Sequence, residues 1–246
     1  MNPINNFRII SEIASNWNGS ENIAKQLIWE SKQAGADYVK FQMWRAEDLY
    51  KKSHPNWNEI KKSELTPDKA KNFKKYADRQ KIGYFCSAFY PEAVEFLEKL
   101  DVQLYKIASR TSAFMDKESL VTMQAIAKTR KPVIISMGFG GDMEKIKKIF
   151  KNNNKYFLYC ISKYPTLISE VNFQTMLKMD GFSDHTEGSL AALIYAVKSN
   201  RIRKIKFIEK HVSINQSRGP DKPFSMDIND FAKMIHEIRL VESIKV

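Results

Sequence analysis

Eight short, apolar, β-rich runs recur along the chain, each followed by a longer stretch with helical spacing. This alternation constrains the fold more than any other feature, because strands alternating with helices build parallel sheets through right-handed crossovers. The runs occupy 8–13, 38–42, 83–87, 104–107, 133–136, 156–160, 181–183 and 205–210. Local signals between them agree. Ser20 is placed to cap a first helix with Ile23, Leu27 and Ser31 on one face and Gly35 at its end, and Tyr90-Pro91 sets a proline where another helix begins. A last helix is expected over 228–241. Eight strand–helix units of about thirty residues each fill the chain without a linker, which points to a single (β/α)8 TIM barrel over residues 1–246. A doubly wound open sheet is the alternative, since periodicity does not show closure. No glycine-rich dinucleotide or phosphate-loop fingerprint follows any run, which argues against a nucleotide-binding version.

A chain of 246 residues with 43% apolar residues buries a large core without staples. Two cysteines, Cys86 and Cys160, make no disulfide framework and suit a reducing compartment. The N-terminus lacks a signal pattern and no apolar run is long enough to span a membrane, so the expected location is the cytoplasm. The net charge of +12 would suit nucleic acid, an anionic membrane or small anionic substrates. The basic residues are spread along the chain without aromatic interleaving, so neither nucleic acid nor membrane is the expected partner.

In a TIM barrel the active site lies at the carboxyl ends of the strands. Two of the four histidines, His185 and His211, fall there on neighbouring strands, and two imidazoles with nearby carboxylates make half of a first-row metal site. His54 and His236 are expected to be structural. Lys40, Lys106 and Lys210 also fall at strand ends, with hydroxyls at Ser109, Ser136 and Ser183. Such a set suits a phosphate or carboxylate, although one lysine could instead form a Schiff base. The segment 43–65, which carries Trp44, Arg45, Asp48, Tyr50 and Trp57, is the longest gap between runs and is expected to cover the mouth.

At these residues the sequence resembles the sialic acid synthases, the N-acetylneuraminate synthase group that also makes related nonulosonic acids. The matching stretches are 10–19 (ISEIASNWNG), 34–49 (AGADYVKFQMWRAEDL), 105–109 (YKIAS) and 131–138 (KPVIISMG). They continue through 160–165 (CISKYP), 181–188 (GFSDHTEG), 209–211 (EKH) and 219–221 (GPD). The resemblance implies a barrel that condenses phosphoenolpyruvate with an N-acyl hexosamine or related aldose and releases phosphate. It implies that His185 and His211 bind a divalent metal, Mn2+ ahead of Mg2+ or Co2+. Lys40, Lys106, Ser109, Ser136 and Ser183 would hold phosphoenolpyruvate. Gln42, Ser87, Phe89, Ser162 and Tyr164 complete the substrate-binding set, and Glu12 and Asp221 are the catalytic carboxylates.

The chain departs from the family pattern at four places. Trp17 stands where the family usually has His, and Ser87-Ala88-Phe89 replaces Thr-Pro-Phe. Ser109-Arg110-Thr111 lacks an acidic residue thought to assist proton transfer, so either Glu12 or Asp221 covers that role or the chemistry has changed. The sequence stops at Val246, after the eighth helix. On that basis the small C-terminal antifreeze-like domain of typical members is expected to be absent, with the 43–65 segment or a separate lid protein left to complete the mouth and a homodimer as the candidate assembly. Two other readings carry forward: a Schiff-base pyruvate aldolase, and an inactive barrel that binds a sugar or a partner protein.

Overall fold

The computed structural model describes residues 6–200 and 205–244. Eight parallel strands follow one another around a ring: β1 (Phe7–Glu12), β2 (Tyr38–Met43), β3 (Gly83–Ala88), β4 (Tyr105–Ile107), β5 (Val133–Ser136), β6 (Lys155–Tyr159), β7 (Gly181–Asp184) and β8 (Lys206–Ser213). Each pairs with the next, and β1 also pairs with β8 over six residues from Phe7–Lys206 to Glu12–His211. That last ladder closes the barrel and excludes the open doubly wound sheet. A short ninth strand, β9 (Met226–Asp227), extends β8 beyond the ring. The run expected at 205–210 continues three residues further, because the chain keeps its β conformation to meet β9.

Among the described residues a helix of the outer layer follows every barrel strand. In chain order the helices are α1 (Glu21–Gln33), α2 (Ala46–Leu49), α3 (Trp57–Lys62), α4 (Pro67–Gln80), α5 (Pro91–Lys99) and α6 (Ser109–Ser112). They continue with α7 (Ser119–Thr129), α8 (Met143–Ile149), α9 (Phe173–Leu177), α10 (Leu190–Ser199) and α11 (Ile228–Ser243). Ser20 caps α1 through its hydroxyl, which accepts from the Ile23 amide, and Leu27 and Ser31 turn inward as their spacing requires. Pro91 occupies the first turn of α5, where its missing N–H leaves no bond unmade. The short α2, α3 and α6 sit in the loops above the carboxyl ends of the strands. No helix among the described residues is long and apolar enough to cross a membrane.

Strand alternation divides each strand between two cores. Residues facing out pack against the helices in the large cluster that holds Ile9, Val39, Phe41, Ile107 and Ile208. Residues facing in build a small plug of Ile10, Phe85, Leu104, Ile134, Leu158 and Phe207 across the barrel axis. Gly181 belongs to this inner layer. A Cβ there would lie 2.3 Å from Leu158 Cδ2 and 2.5 Å from the Phe207 carbonyl, and the latter is fixed in the sheet. Gly181→Ala is therefore expected to lower stability by about 1–3 kcal/mol through overpacking, measured by urea denaturation. Wild-type stability in that variant would mean that the plug tolerates an added methyl.

Candidate active site

One residue pair further along the same six strands, the barrel interior changes from apolar to polar. Glu12, Ser87, Lys106, Ser136, Cys160 and Glu209 stand two positions beyond Ile10, Phe85, Leu104, Ile134, Leu158 and Phe207, so alternation turns all of them inward directly above the plug. All but Ser87 form the floor of a cavity of about 380 Å³ that opens at the carboxyl ends of the strands.

The floor is an ion-pair network. Lys40 is in contact with Glu12 and lies 3.2 Å from Glu209, and Lys106 lies 3.1 Å from Glu209. Ser183 donates to Glu209 at 2.8 Å, and Lys40 donates to Ser87 at 3.4 Å. All four charged side chains are almost wholly buried. Burial pushes the Glu12 carboxyl up to about 7, against the pull of Lys40. Burial acts on Glu209 in the same sense, but Lys106 and Lys40 outweigh it and hold Glu209 below the ordinary carboxylate range. Burial lowers Lys106, whereas Glu12 and Glu209 overcome burial at Lys40 and raise it.

Hydroxyls ring one side of this floor. A Cβ on Gly138 would sit 2.4 Å from Ser162 Oγ, 2.8 Å from Ser109 Oγ and 3.0 Å from Cys160 Sγ, so a bare backbone here leaves three heteroatoms converging on one point. Ser136 Oγ and Ser162 Oγ are buried without a hydrogen-bond partner. Buried hydroxyls lining a cavity have hydrogen-bonding capacity to offer to solvent or to a ligand.

His185 and His211 stand on the other side with ring centroids 5.6 Å apart. His185 Nδ1 lies 2.7 Å from the Ile161 carbonyl, which makes Nδ1 the donor and leaves Nε2 as the lone-pair nitrogen. Burial, with His185 and Lys40 nearby, holds His211 well below the usual imidazole range, and its Nδ1 has no partner. Two oriented imidazoles, with His185 Nε2 facing Cys160 Sγ at 4.0 Å, could hold two positions of a divalent cation. Among the described residues no third His, Cys, Asp or Glu joins them as a complete ligand set. The Tyr164 ring stacks on His185 at 4.2 Å and on Phe224 at 4.5 Å. Asp221 is pinned by Ser15, whose amide donates to it at 2.9 Å and whose hydroxyl also contacts it.

The cavity thus gathers Glu12, Lys40, Gln42, Phe89, Lys106, Ser109, Ser136, Ser162, Tyr164, Ser183, His185, His211 and Asp221 from the residues singled out in the sequence. Ser87 is the exception: fully buried, it lies behind Lys40 and outside the lining. A second correction concerns Lys210, grouped with the mouth lysines above. It lies between the inward residues Glu209 and His211, so it faces the helix layer, where it donates to Asp184 at 2.9 Å and to the Thr186 carbonyl at 2.5 Å. Glu209 is the main omission, and its signal was its place two residues after Phe207. The 43–65 segment begins on the last residue of β2 and carries α2 and α3. Trp44 and Tyr50 form cavity wall, Arg45 and Asp48 line an adjoining hollow, and Trp57 packs against the core.

Three comparisons bear on this site. The NeuB family model matches residues 27–245. A pseudaminic acid synthase of Campylobacter jejuni is 32% identical over 96% of this chain and 74% of its own. Among solved structures, the N-acetylneuraminic acid synthetase of Leptospira borgpetersenii, in complex with citrate, superposes with a TM-score of 0.83 at 25% identity, covering 96% of this chain and 83% of that one. On the match of the family model over most of its length, this chain belongs to the NeuB family.

Proposed function

We propose that the barrel condenses phosphoenolpyruvate with an N-acyl hexosamine or related aldose, forming a nonulosonic acid and releasing phosphate. The observation that carries the reading is the cavity floor: buried, ion-paired lysines beside unpartnered serine hydroxyls, facing two imidazoles across one small space. Relatives named as synthases of pseudaminic acid and of N-acetylneuraminate 9-phosphate support it.

In this reading the phosphate and carboxylate of phosphoenolpyruvate lie against Lys40, Lys106 and the hydroxyls of Ser109, Ser136, Ser162 and Ser183. Point charges and fixed hydroxyls hold an anion in a water-poor site without reorganising. The enol carbon C3 attacks the aldehyde carbon and forms the new C–C bond, and the aldehyde oxygen ends as a hydroxyl. Water adds at C2 and gives a proton to Glu12, which passes it to the aldehyde-derived oxygen. The C2–O bond to phosphate then breaks as the C2 hydroxyl becomes the ketone and its proton leaves with the phosphate. A divalent cation on His185 and His211, Mn2+ first among candidates, supplies Lewis acidity toward the aldehyde oxygen. Asp221, held by Ser15 at the rim, faces the sugar. A Schiff base asks for a neutral amine. Lys40, raised by its two carboxylates, is better suited to binding an anion, and Lys106, which burial lowers, is the lysine on which borohydride trapping with pyruvate separates the two readings.

His185→Ala and His211→Ala are each expected to abolish turnover and to weaken Mn2+ binding in calorimetry, whereas His236→Ala, exposed on α11, changes neither. Near-wild-type turnover of either strand-end variant in metal-limited buffer would sink the metal assignment. Lys106→Met is expected to raise the KM for phosphoenolpyruvate and to remove roughly 2–4 kcal/mol of transition-state stabilisation from kcat/KM. Unchanged phosphoenolpyruvate affinity would show that Lys106 serves only the ion-pair network. Glu12 must be ionised to accept the proton of water, and burial places its pKa at about 7. The acid limb of the pH profile should therefore rise through that pH in the wild type and vanish in Glu12→Gln; a limb that survives the substitution assigns the base elsewhere.

A further inference from the structure

A second hollow of about 400 Å³ adjoins the active-site cavity. Trp44, Leu49, Phe89 and Arg110 line both, so the two form one continuous space with Arg110 at the seam. Arg110 belongs to the loop where the chain departs from its family pattern. Its neighbour Thr111 is buried outside both linings. The guanidinium is held by Asp116, which accepts from Nε at 3.1 and 3.0 Å and from Nη2 at 2.6 Å. Nη1 makes no hydrogen bond within the described residues, so a fixed fork keeps donors free at the seam.

Charge decides what this space accepts. The hollow carries three cationic side chains, Arg45, Arg110 and Lys117, against four anionic ones, Glu47, Asp48, Asp116 and Glu118. Arg45 is itself committed, to Glu92 at 2.8 Å and to Glu118 at 3.6 Å. On the cavity floor, Lys40 and Lys106 face Glu12 and Glu209. No surplus of positive charge therefore remains for an anion beyond phosphoenolpyruvate. The carboxylates are engaged as well, Glu47 at 3.9 Å from both Lys52 and Lys61 and Asp48 at 3.9 Å from Arg45. What a dianionic substituent meets is therefore a lining with one negative charge in excess, a like-charge juxtaposition that disfavours it.

Resting on the condensation reading above, we infer that the aldose substrate is unphosphorylated, and that its end remote from the aldehyde enters this hollow, where Arg110 donates to a neutral oxygen acceptor. Arg110 is then a specificity-determining residue for the sugar, with Asp116 as its positioning partner.

The test is steady-state phosphate release from phosphoenolpyruvate with a panel of N-acyl hexosamines, each supplied free and as its terminal phosphate ester. The wild type is expected to favour a free sugar over its ester by about tenfold or more in kcat/KM. Arg110→Met should raise the KM of that sugar by roughly ten- to a hundredfold and leave the KM of phosphoenolpyruvate unchanged, the loss of one charged hydrogen bond. Asp116→Asn and Glu118→Gln together should narrow the discrimination against the ester. Equal or better use of the ester by the wild type overturns the inference and leaves the condensation reading intact. So does an Arg110→Met variant, shown folded by circular dichroism, that keeps its sugar KM. Release with no sugar of either form, while phosphoenolpyruvate still binds in calorimetry, overturns both.

Discussion

Two lysines and two glutamates lie buried on the cavity floor, and they survive there because each has a partner of opposite charge. An unpaired charge at that depth would lose its proton or take one up, since desolvation penalises the ionised form by several kcal/mol. Glu12 already shows the tension, raised by burial despite its contact with Lys40. Glu209, with two lysines and the Ser183 hydroxyl around it, stays ionised. The rest of the site is arranged around this network: serines complete its edge, the imidazoles stand beside it, and Trp44, Leu49 and Tyr50 wall the cavity above it.

The barrel supplies the geometry through one rule, the alternation of side chains along a strand. Six strands carry an apolar residue into the plug and, two positions later, turn a polar residue inward, five of them into the cavity floor. The plug seals the end of the barrel opposite the mouth, so the charges above it have a single exit. This is why a fold whose interior is otherwise packed with branched side chains can hold a reactive site at one end. The same closure makes the inner layer intolerant of added volume, since the atoms nearest Gly181 include a carbonyl already committed to the sheet.

The strands, their order and the mouth residues were legible in the sequence because apolar runs and strand-end polar residues are local patterns. Which residue of a polar pair faces in was harder to read. In Glu209-Lys210-His211 all three side chains are buried, so composition gives no contrast between the two faces of β8. Counting in twos from Phe207 resolves it: Glu209 and His211 fall inside, and Lys210 falls among the helices with Asp184. Ser87 obeys the inward parity yet lies outside the cavity lining, because Lys40 extends across it. The adjoining hollow was not legible at all. Its walls come from the segment after β2 and the loops after β3 and β4, which are brought together only when the ring closes.

A floor that neutralises itself has a consequence for anion binding. Phosphoenolpyruvate entering the cavity meets lysines already engaged by carboxylates, so Coulomb attraction to Lys40 and Lys106 is partly spent before it arrives. The groups with unmet capacity are the hydroxyls of Ser136 and Ser162 and the neutral imidazole of His211. Binding therefore has to draw on directional hydrogen bonds from a fixed ring of donors more than on net charge. Directional donors discriminate geometry where point charges do not, and a site built from them holds an enol phosphate in one orientation. The excess of basic residues over the whole chain, +12, is thus no guide to the charge of its cavity. The surface carries that excess, and the site depends on local pairing.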